Sequence, residues 1–203
     1  AASDVYKRQV PFPTGTVEVT LDGAGIPSYE IRQGVAWDNI PFTPQIEELA
    51  RHTRAACFGS LAQRSPISHR TIGRFLETMP DGEGQYKVFD INLRQHFYTQ
   101  QVVEESLRKC NILKINDEEL AVVGGMFGME GMQPGEQCRT LLDRYGLRIV
   151  ILTCGAAGSS VFAPDTRSYI PTPRVEVADT VGAGDSFTAS FLAALLSGLG
   201  IGE

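Results

Sequence analysis

From Ala55 onward, short apolar or β-branched runs alternate with helix-length segments, and this alternation limits the fold more than any other feature of the chain. Ala55-Ala-Cys-Phe-Gly, Tyr86-Lys-Val-Phe-Asp-Ile-Asn, Ile112 to Ile115 and Arg148 to Thr153 read as strands. Helices are expected from Thr43-Pro44 through Arg54, from Ser65-Pro66 through Met79, over Gln100 to Cys110, from Asp117, and over Gly135 to Tyr145. Thr43 and Ser65 serve as N-caps, each with proline in the first turn. A strand followed by a helix and another strand returns the chain parallel to its start, so the fold class is α/β with a mainly parallel sheet and helices on both faces. Ligands in such sheets lie beyond the carboxyl ends of the strands. Short strands follow at Ser160 to Ala163, Ser168 to Ile170 and Val175 to Val177. An apolar helix from Gly184 to Ser197, stopped by Gly198, closes the pattern. One piece stands apart: an alternating strand, Thr16 to Leu21, a turn at Asp22-Gly-Ala-Gly, and a second strand, Ser28 to Arg32, form an isolated hairpin.

Composition narrows the function classes. The 203 residues are 42% hydrophobic and 21% charged, with a formal net charge of −6. An acidic balance without a basic run argues against nucleic acid or an anionic membrane surface as partner. Four cysteines without CxxC spacing and only three histidines make a zinc site a poor expectation. No stretch is apolar and long enough to span a bilayer, and no signal peptide opens the chain. Reduced thiols and a cytoplasmic location are therefore expected.

Four clusters carry candidate chemistry. The first is Gly182-Ala183-Gly184-Asp185, between a strand and the apolar helix. Small residues let the backbone approach a ligand, and a helix start offers unpaired N–H groups and positive dipole character to an anion. A carboxylate beside a phosphate repels it, so Asp185 needs another reason to be there; a base that takes a proton from an attacking hydroxyl supplies one. A tight strand-to-helix connection is the structural alternative. Rival motifs fail: Phe187 stands where a dinucleotide fingerprint needs its third glycine, there is no GxxxxGK[ST], and no glycine flanks Ser186 as a nucleophile elbow requires.

The second cluster is Asp90-Ile-Asn92-Leu-Arg94, whose alternate residues face together if the extended run continues. Arginine offers a planar fork for phosphate, although a structural Asp–Arg pair would use the same residues. The third is Asn116-Asp-Glu-Glu119, which has capping-box spacing and, as function, an amide and a carboxylate able to hold waters around Mg²⁺. The fourth is Thr153-Cys-Gly155-Ala-Ala-Gly158, suited to a nucleotide phosphate or ribose edge, or to a plain turn. All four are expected just beyond strand ends on one rim.

With these residues in view, Asp179-Thr180-Val-Gly-Ala-Gly-Asp185 resembles the C-terminal signature of the PfkB, or ribokinase-like, carbohydrate kinases. Asp90-x-Asn92-x-Arg94, Asn116-x-x-Glu119 and Thr153-x-Gly155-x-x-Gly158 are similar to further elements of that family, in its order. The resemblance implies a three-layer ribokinase-like fold with a small β lid, and transfer of the ATP γ-phosphoryl group to a sugar hydroxyl. It implies Asp185 as base and Gly182, Ala183 and Gly184 as the anion hole, with Arg94 steadying the transferring group. Asn116 and Glu119 would organise Mg²⁺ through water, and Thr153, Gly155, Gly158, Asn116, Asp179 and Thr180 would line the ATP side.

Gly34-Val-Ala-Trp-Asp-Asn-Ile-Pro-Phe-Thr and Phe58-Gly-Ser-Leu-Ala-Gln-Arg look most like bacterial fructokinases. Other acceptors (ribose, 2-keto-3-deoxygluconate, a nucleoside) and a non-catalytic sugar- or nucleotide-binding paralogue are the alternatives. Residues 1–9 form an unpatterned tail, 10–34 part of the lid and 35–203 the kinase core, with the lid a possible homodimer contact. The family's N-terminal strand, its glycine-glycine motif and its last adenine-pocket elements have no counterpart, so a truncated chain that is itself inactive is a further expectation.

Overall fold

We describe a computed structural model of the chain over residues 9–21, 27–174 and 181–201. The expected turn at Asp22, the strand over Val175 to Val177 and the two residues Asp179 and Thr180 lie outside the described residues, as does most of the 1–9 tail.

The isolated hairpin forms as read. β1 (Val17–Leu21) and β2 (Pro27–Ile31) pair antiparallel in a sheet of their own, Val17 opposite Ile31 and Val19 opposite Tyr29. Val17, Val19 and Tyr29 are more than half exposed, at 56%, 55% and 55%.

The main sheet contains β3 (Ala55–Phe58), β4 (Tyr86–Asp90), β5 (Ile112–Asn116), β6 (Ile149–Thr153), β7 (Ser159–Ala163) and β8 (Thr166–Ile170), side by side in sequence order. β3 to β6 run parallel, whereas the β6–β7 and β7–β8 pairs are antiparallel. The helices are α1 (Pro44–His52), α2 (Pro66–Thr78), α3 (Gln100–Lys109), α4 (Asp117–Met126), α5 (Pro134–Tyr145) and α6 (Ala183–Leu196).

Strands added in one direction with crossovers of one hand put the intervening helices on one face. There, Phe89, Ile91, Leu113, Ile115, Val150 and Leu152 pack against Val103 and Leu107 of α3, Leu120 and Val123 of α4, and Leu141 and Leu142 of α5. Ala50 of α1 and Leu76 of α2 extend the same layer over Phe58. The alternate strand residues Val88, Ile112, Ile149, Ile151 and Val161 face the other way, where Phe187, Phe191, Leu192 and Leu195 of α6 cover them. Burial of each such side chain stabilises the fold by roughly 1.5–3 kcal/mol. The expected three-layer architecture is the one observed, together with a separate two-stranded sheet.

Two local expectations split. The Thr43 hydroxyl accepts the Ile46 N–H at 3.3 Å and caps α1 as read. Ser65 makes no such bond. Pro66 has no N–H to satisfy and already fixes the first-turn φ of α2, so the cap is dispensable there.

Candidate active site

The carboxyl ends of the parallel strands form one rim, and pairing register brings the sequence clusters together on it. Asn116, at the end of β5, lies opposite Thr153, at the end of β6. Asp90, ending β4, lies opposite Lys114 of β5. Glu119 joins the second cluster to the third: one carboxylate oxygen accepts the Leu93 N–H at 3.0 Å and the other accepts the Asn116 N–H at 3.0 Å. Asn116 Oδ1 in turn accepts the Glu119 N–H at 2.8 Å. The expected capping box therefore exists, and it is also the knot that ties the β4 exit loop to α4. A carboxylate has about four acceptor positions, so Glu119 retains capacity for a hydrated cation. Among the described residues no group of three or more His, Cys, Asp or Glu side chains is placed to hold a metal directly.

The turn before α6 has the form that an anion site needs. Gly182 is the N-cap, left-handed at φ +77°, and among the described residues no side chain caps the helix. The Ser186 N–H closes the first turn on the Gly182 carbonyl at 2.8 Å. Among the described residues the N–H groups of Gly182, Ala183 and Gly184 meet no acceptor, which, with the positive end of the dipole, suits an anion. Asp185 sits in this first turn.

Two of the three residues that lock α6 onto the rim, Lys114 and Thr188, were not among the sequence-derived site residues, and the third, Asp90, was given other partners. Lys114 Nζ lies 3.1 Å from Asp90 Oδ1, with both side chains about nine-tenths buried, at 10% and 11% exposure. The Thr188 hydroxyl, one helical turn beyond Gly184, donates to Asp90 Oδ2 at 3.1 Å and also lies 3.0 Å from the Gly184 carbonyl. A β-carbon built on Gly184 would meet Lys114 Nζ at 3.1 Å. Gly184 is therefore small for a structural reason: a pinned ammonium occupies the space where a side chain would start. A lysine inside the apolar run Ile112-Leu-Lys-Ile was the available signal. A charge is rarely buried without a partner, and Asp90 was the carboxylate in reach.

This assignment corrects the expectation for the second cluster. The extended run does not continue past Ile91, because Asn92 is left-handed at φ +42° and turns the chain. Asp90, Asn92 and Arg94 therefore do not face together, and no Asp90–Arg94 pair forms. Asp90 points beneath α6, while exposed Arg94 stays on the loop, its guanidinium 3.4 Å from the Leu93 carbonyl.

Cys57, opposite Val88 on the edge strand β3, also belongs to this corner. Although Cys57 is exposed as a whole, partial desolvation of its sulfur and the carboxylates of Asp90 and Asp185 push its thiol up to about 11. The lysine, both carboxylates and the thiol thus share one electrostatic neighbourhood.

The fourth cluster is partly structural. Gly155–Ala157 is a single 3₁₀ turn after Thr153, with Gly155 left-handed at φ +49° and open space where a β-carbon would be. Gly158 is different. A β-carbon there would meet the Ile170 carbonyl oxygen at 2.4 Å and Pro171 Cα at 2.9 Å, at φ +103°. Gly158 is required by the close passage of the segment leaving β8. Thr172 Oγ1 to the Gly155 carbonyl, 2.6 Å, and the Tyr169 hydroxyl to the Ala157 carbonyl, 2.7 Å, fasten the same turn.

A family model described as pfkB family carbohydrate kinase matches residues 73–203. A fructokinase of Rhizobium leguminosarum bv. trifolii is 30% identical over 160 residues, covering 75% of this chain and 46% of that protein. A nucleoside kinase of Methanothermobacter thermautotrophicus is 27% identical over 168 residues, covering 80% of this chain and 48% of that protein. The crystal structure of a sugar kinase from Pyrococcus horikoshii in complex with ATP superposes with a TM-score of 0.74 at 23% identity, over 96% of this chain and 61% of that one. The chain spans about half the length of these curated relatives.

Proposed function

The chain belongs to the pfkB family of carbohydrate kinases, and on that footing we propose that it serves a kinase that moves the γ-phosphoryl group of ATP onto a sugar hydroxyl, most readily that of fructose. The observation that carries this reading is the α6 start, without a side-chain cap among the described residues and with Asp185 in its first turn, held to the strand rim through Lys114, Asp90 and Thr188. Asp185 takes the proton from the acceptor hydroxyl as it attacks. The turn N–H groups of Gly182, Ala183 and Gly184 and the helix dipole stabilise charge on the transferring group, the usual source of rate in phosphoryl transfer. Arg94 reaches that group from its exposed loop.

The nucleotide side is formed by Thr153, Asn116 and the open turn at Gly155, with Gly158 setting the turn's shape. The bare helix start fits a phosphate, and the spare acceptor positions of Glu119 with Asn116 fit Mg²⁺ held through water. Bound, that cation neutralises charge on the phosphates. Asp179 and Thr180 belong to this side by their place in the signature. The exposed apolar face of the lid, with Val17, Val19 and Tyr29, supports pairing with a second copy. A cytoplasmic location is in keeping with the lack, among the described residues, of any helix long and apolar enough to cross a membrane.

ADP release measured with fructose, ribose, 2-keto-3-deoxygluconate and a nucleoside tests the reading. The likeness to a nucleoside kinase supports the wider panel. Asp185→Asn is expected to lower kcat by about 10²–10⁴-fold with little change in ATP affinity. A non-catalytic sugar- or nucleotide-binding role gives no reason for a base at the anion site. An active wild type with a fully active Asp185→Asn variant would remove Asp185 from the mechanism.

A further inference from the structure

The most heavily engaged side chain outside the α6 corner is Arg64, at the end of a 3₁₀ turn, Leu61–Arg64, that follows β3. Its Nε and Nη2 reach the two carboxylate oxygens of Asp38 at 2.8 and 2.9 Å, and both side chains are only 6% exposed. Nη2 also donates to the Arg32 carbonyl at 2.6 Å. The guanidinium carbon lies 4.2 Å from the centroid of the Trp37 ring and 4.6 Å from that of Phe97. Nη1 is buried without a hydrogen-bond partner among the described residues.

Three segments meet at this one group. The first is the lid exit: Arg32 follows β2, and Asp38 closes its own turn by accepting the Gly34 and Val35 N–H groups at 2.8 and 3.3 Å. The second is the turn that carries Arg64. The third is the loop after β4, where Phe97 donates its N–H to the Arg94 carbonyl at 3.0 Å. That loop has two left-handed non-glycine residues, Asn92 at φ +42° and Gln95 at φ +49°. It touches the lid directly too, through Gln95 Nε2 and the Tyr29 carbonyl at 2.5 Å.

A buried donor left unpaired works against folding, and buried ion pairs add little net stability over apolar packing. Stability alone is therefore a poor reason for this arrangement. Its position at a joint between three segments is a better one. A planar fork held between two rings defines orientation as well as distance, which a lysine cannot do.

We propose that Arg64 is a positioning residue that latches the root of the lid to the loop bearing Arg94, so that the lid and Arg94 approach the acceptor sugar as one unit. This rests on the kinase reading for its effect on turnover, but not for the latch itself. Arg64→Lys keeps the charge and removes the fork and the stacking. Hydrogen exchange of the chain is expected to quicken in both 27–38 and 92–98, with the β4, β5 and β6 amides unchanged. Trp37 is the single tryptophan of the sequence, so its emission reports the clamp directly and should shift. In turnover, KM for the sugar should rise about tenfold while KM for ATP stays within about twofold.

Phe97→Leu, which removes one ring and leaves the ion pair, should move the same quantities in the same direction by less. Faster exchange confined to residues 61–69, or sugar and ATP KM values that rise together, overturns the proposal. Absence of sugar-dependent ADP release in the wild type refutes the kinase reading instead, and the exchange and emission results then decide the latch by themselves.

Discussion

Replacing Lys114 by methionine is the sharpest test of how the site is held. The substitution keeps an unbranched chain of similar length and removes only the ammonium. Asp90 then remains as a carboxylate with an 11% exposed side chain whose one described polar neighbour is the Thr188 hydroxyl at 3.1 Å. Breaking a buried pair by removing one partner costs about 3–5 kcal/mol. For a chain of this size, 1 kcal/mol moves Tm by roughly 2–4 °C, so a fall of about 6–20 °C is expected. The double variant Lys114→Met, Asp90→Leu removes the stranded charge as well. Because exchanging a buried pair for apolar packing is often neutral, it should recover most of the loss. Thr188 then keeps the Gly184 carbonyl as its acceptor. Urea titration followed by circular dichroism measures all three proteins on one scale. A single variant within about 1 kcal/mol of wild type would refute the reasoning, since surface-like pairs give changes of that size. So would a double variant no better than the single.

Gly158→Ala should destabilise the chain by well over 1 kcal/mol in thermal melts, since its β-carbon falls 2.4 Å from the Ile170 oxygen at a φ that disfavours side chains; Gly155→Ala, with open space at the same point of the turn, should cost less. Iodoacetamide labelling of Cys57 at pH 8 should run roughly 10²-fold slower than that of a free cysteine and climb as pH approaches about 11. Asp185→Asn, by removing one of the two carboxylates that repel the thiolate, should speed it, as read by peptide mass spectrometry. For Asp38, burial pushes its carboxyl up, but the Arg64 hydrogen bond, the Val35 and Gly34 N–H groups and the guanidinium charge outweigh that and hold it below the ordinary carboxylate range. A depressed folded value means that its stabilisation is complete above the unfolded pKa and is lost as pH falls through the folded one. Trp37 emission should therefore stay constant through neutral and mildly acidic pH and change only at the acid end.

The strand and helix order was legible because burial on a two-faced sheet leaves clear periodicity. Ile149 to Thr153 and Phe89 show it at its plainest, each alternate side chain entering one layer or the other. The capping box at Asn116 and Glu119 was equally legible, since its bonds are local in sequence. Asp90 was misread because its partners are remote. Lys114 and Thr188 stand 24 and 98 residues away, and no local pattern encodes them. The left-handed turn at Asn92 was invisible for a related reason: the bonds around it, such as Leu93 to Glu119, come from another element. Arg64 and Trp37 lay inside stretches that resemble bacterial fructokinases, but their stacking exists only once the chain after β2 folds back over the turn after β3.

Because the strands follow one another across the sheet in sequence order, α6 is, among the described residues, the single helix over the second face. The same fourteen residues that present Asp185 at one end keep Val88, Ile112 and Ile151 dry along their length. Loosening Asp185 would therefore mean wetting a hydrophobic layer, so this corner has no cheap partly open form. On the kinase reading proposed above, the acceptor is brought to a fixed base, and any conformational adaptation during turnover falls to the opposite party, the two-stranded sheet and its root. Substitutions that retune which sugar is accepted should accumulate there, while the α6 side tolerates little change of any kind.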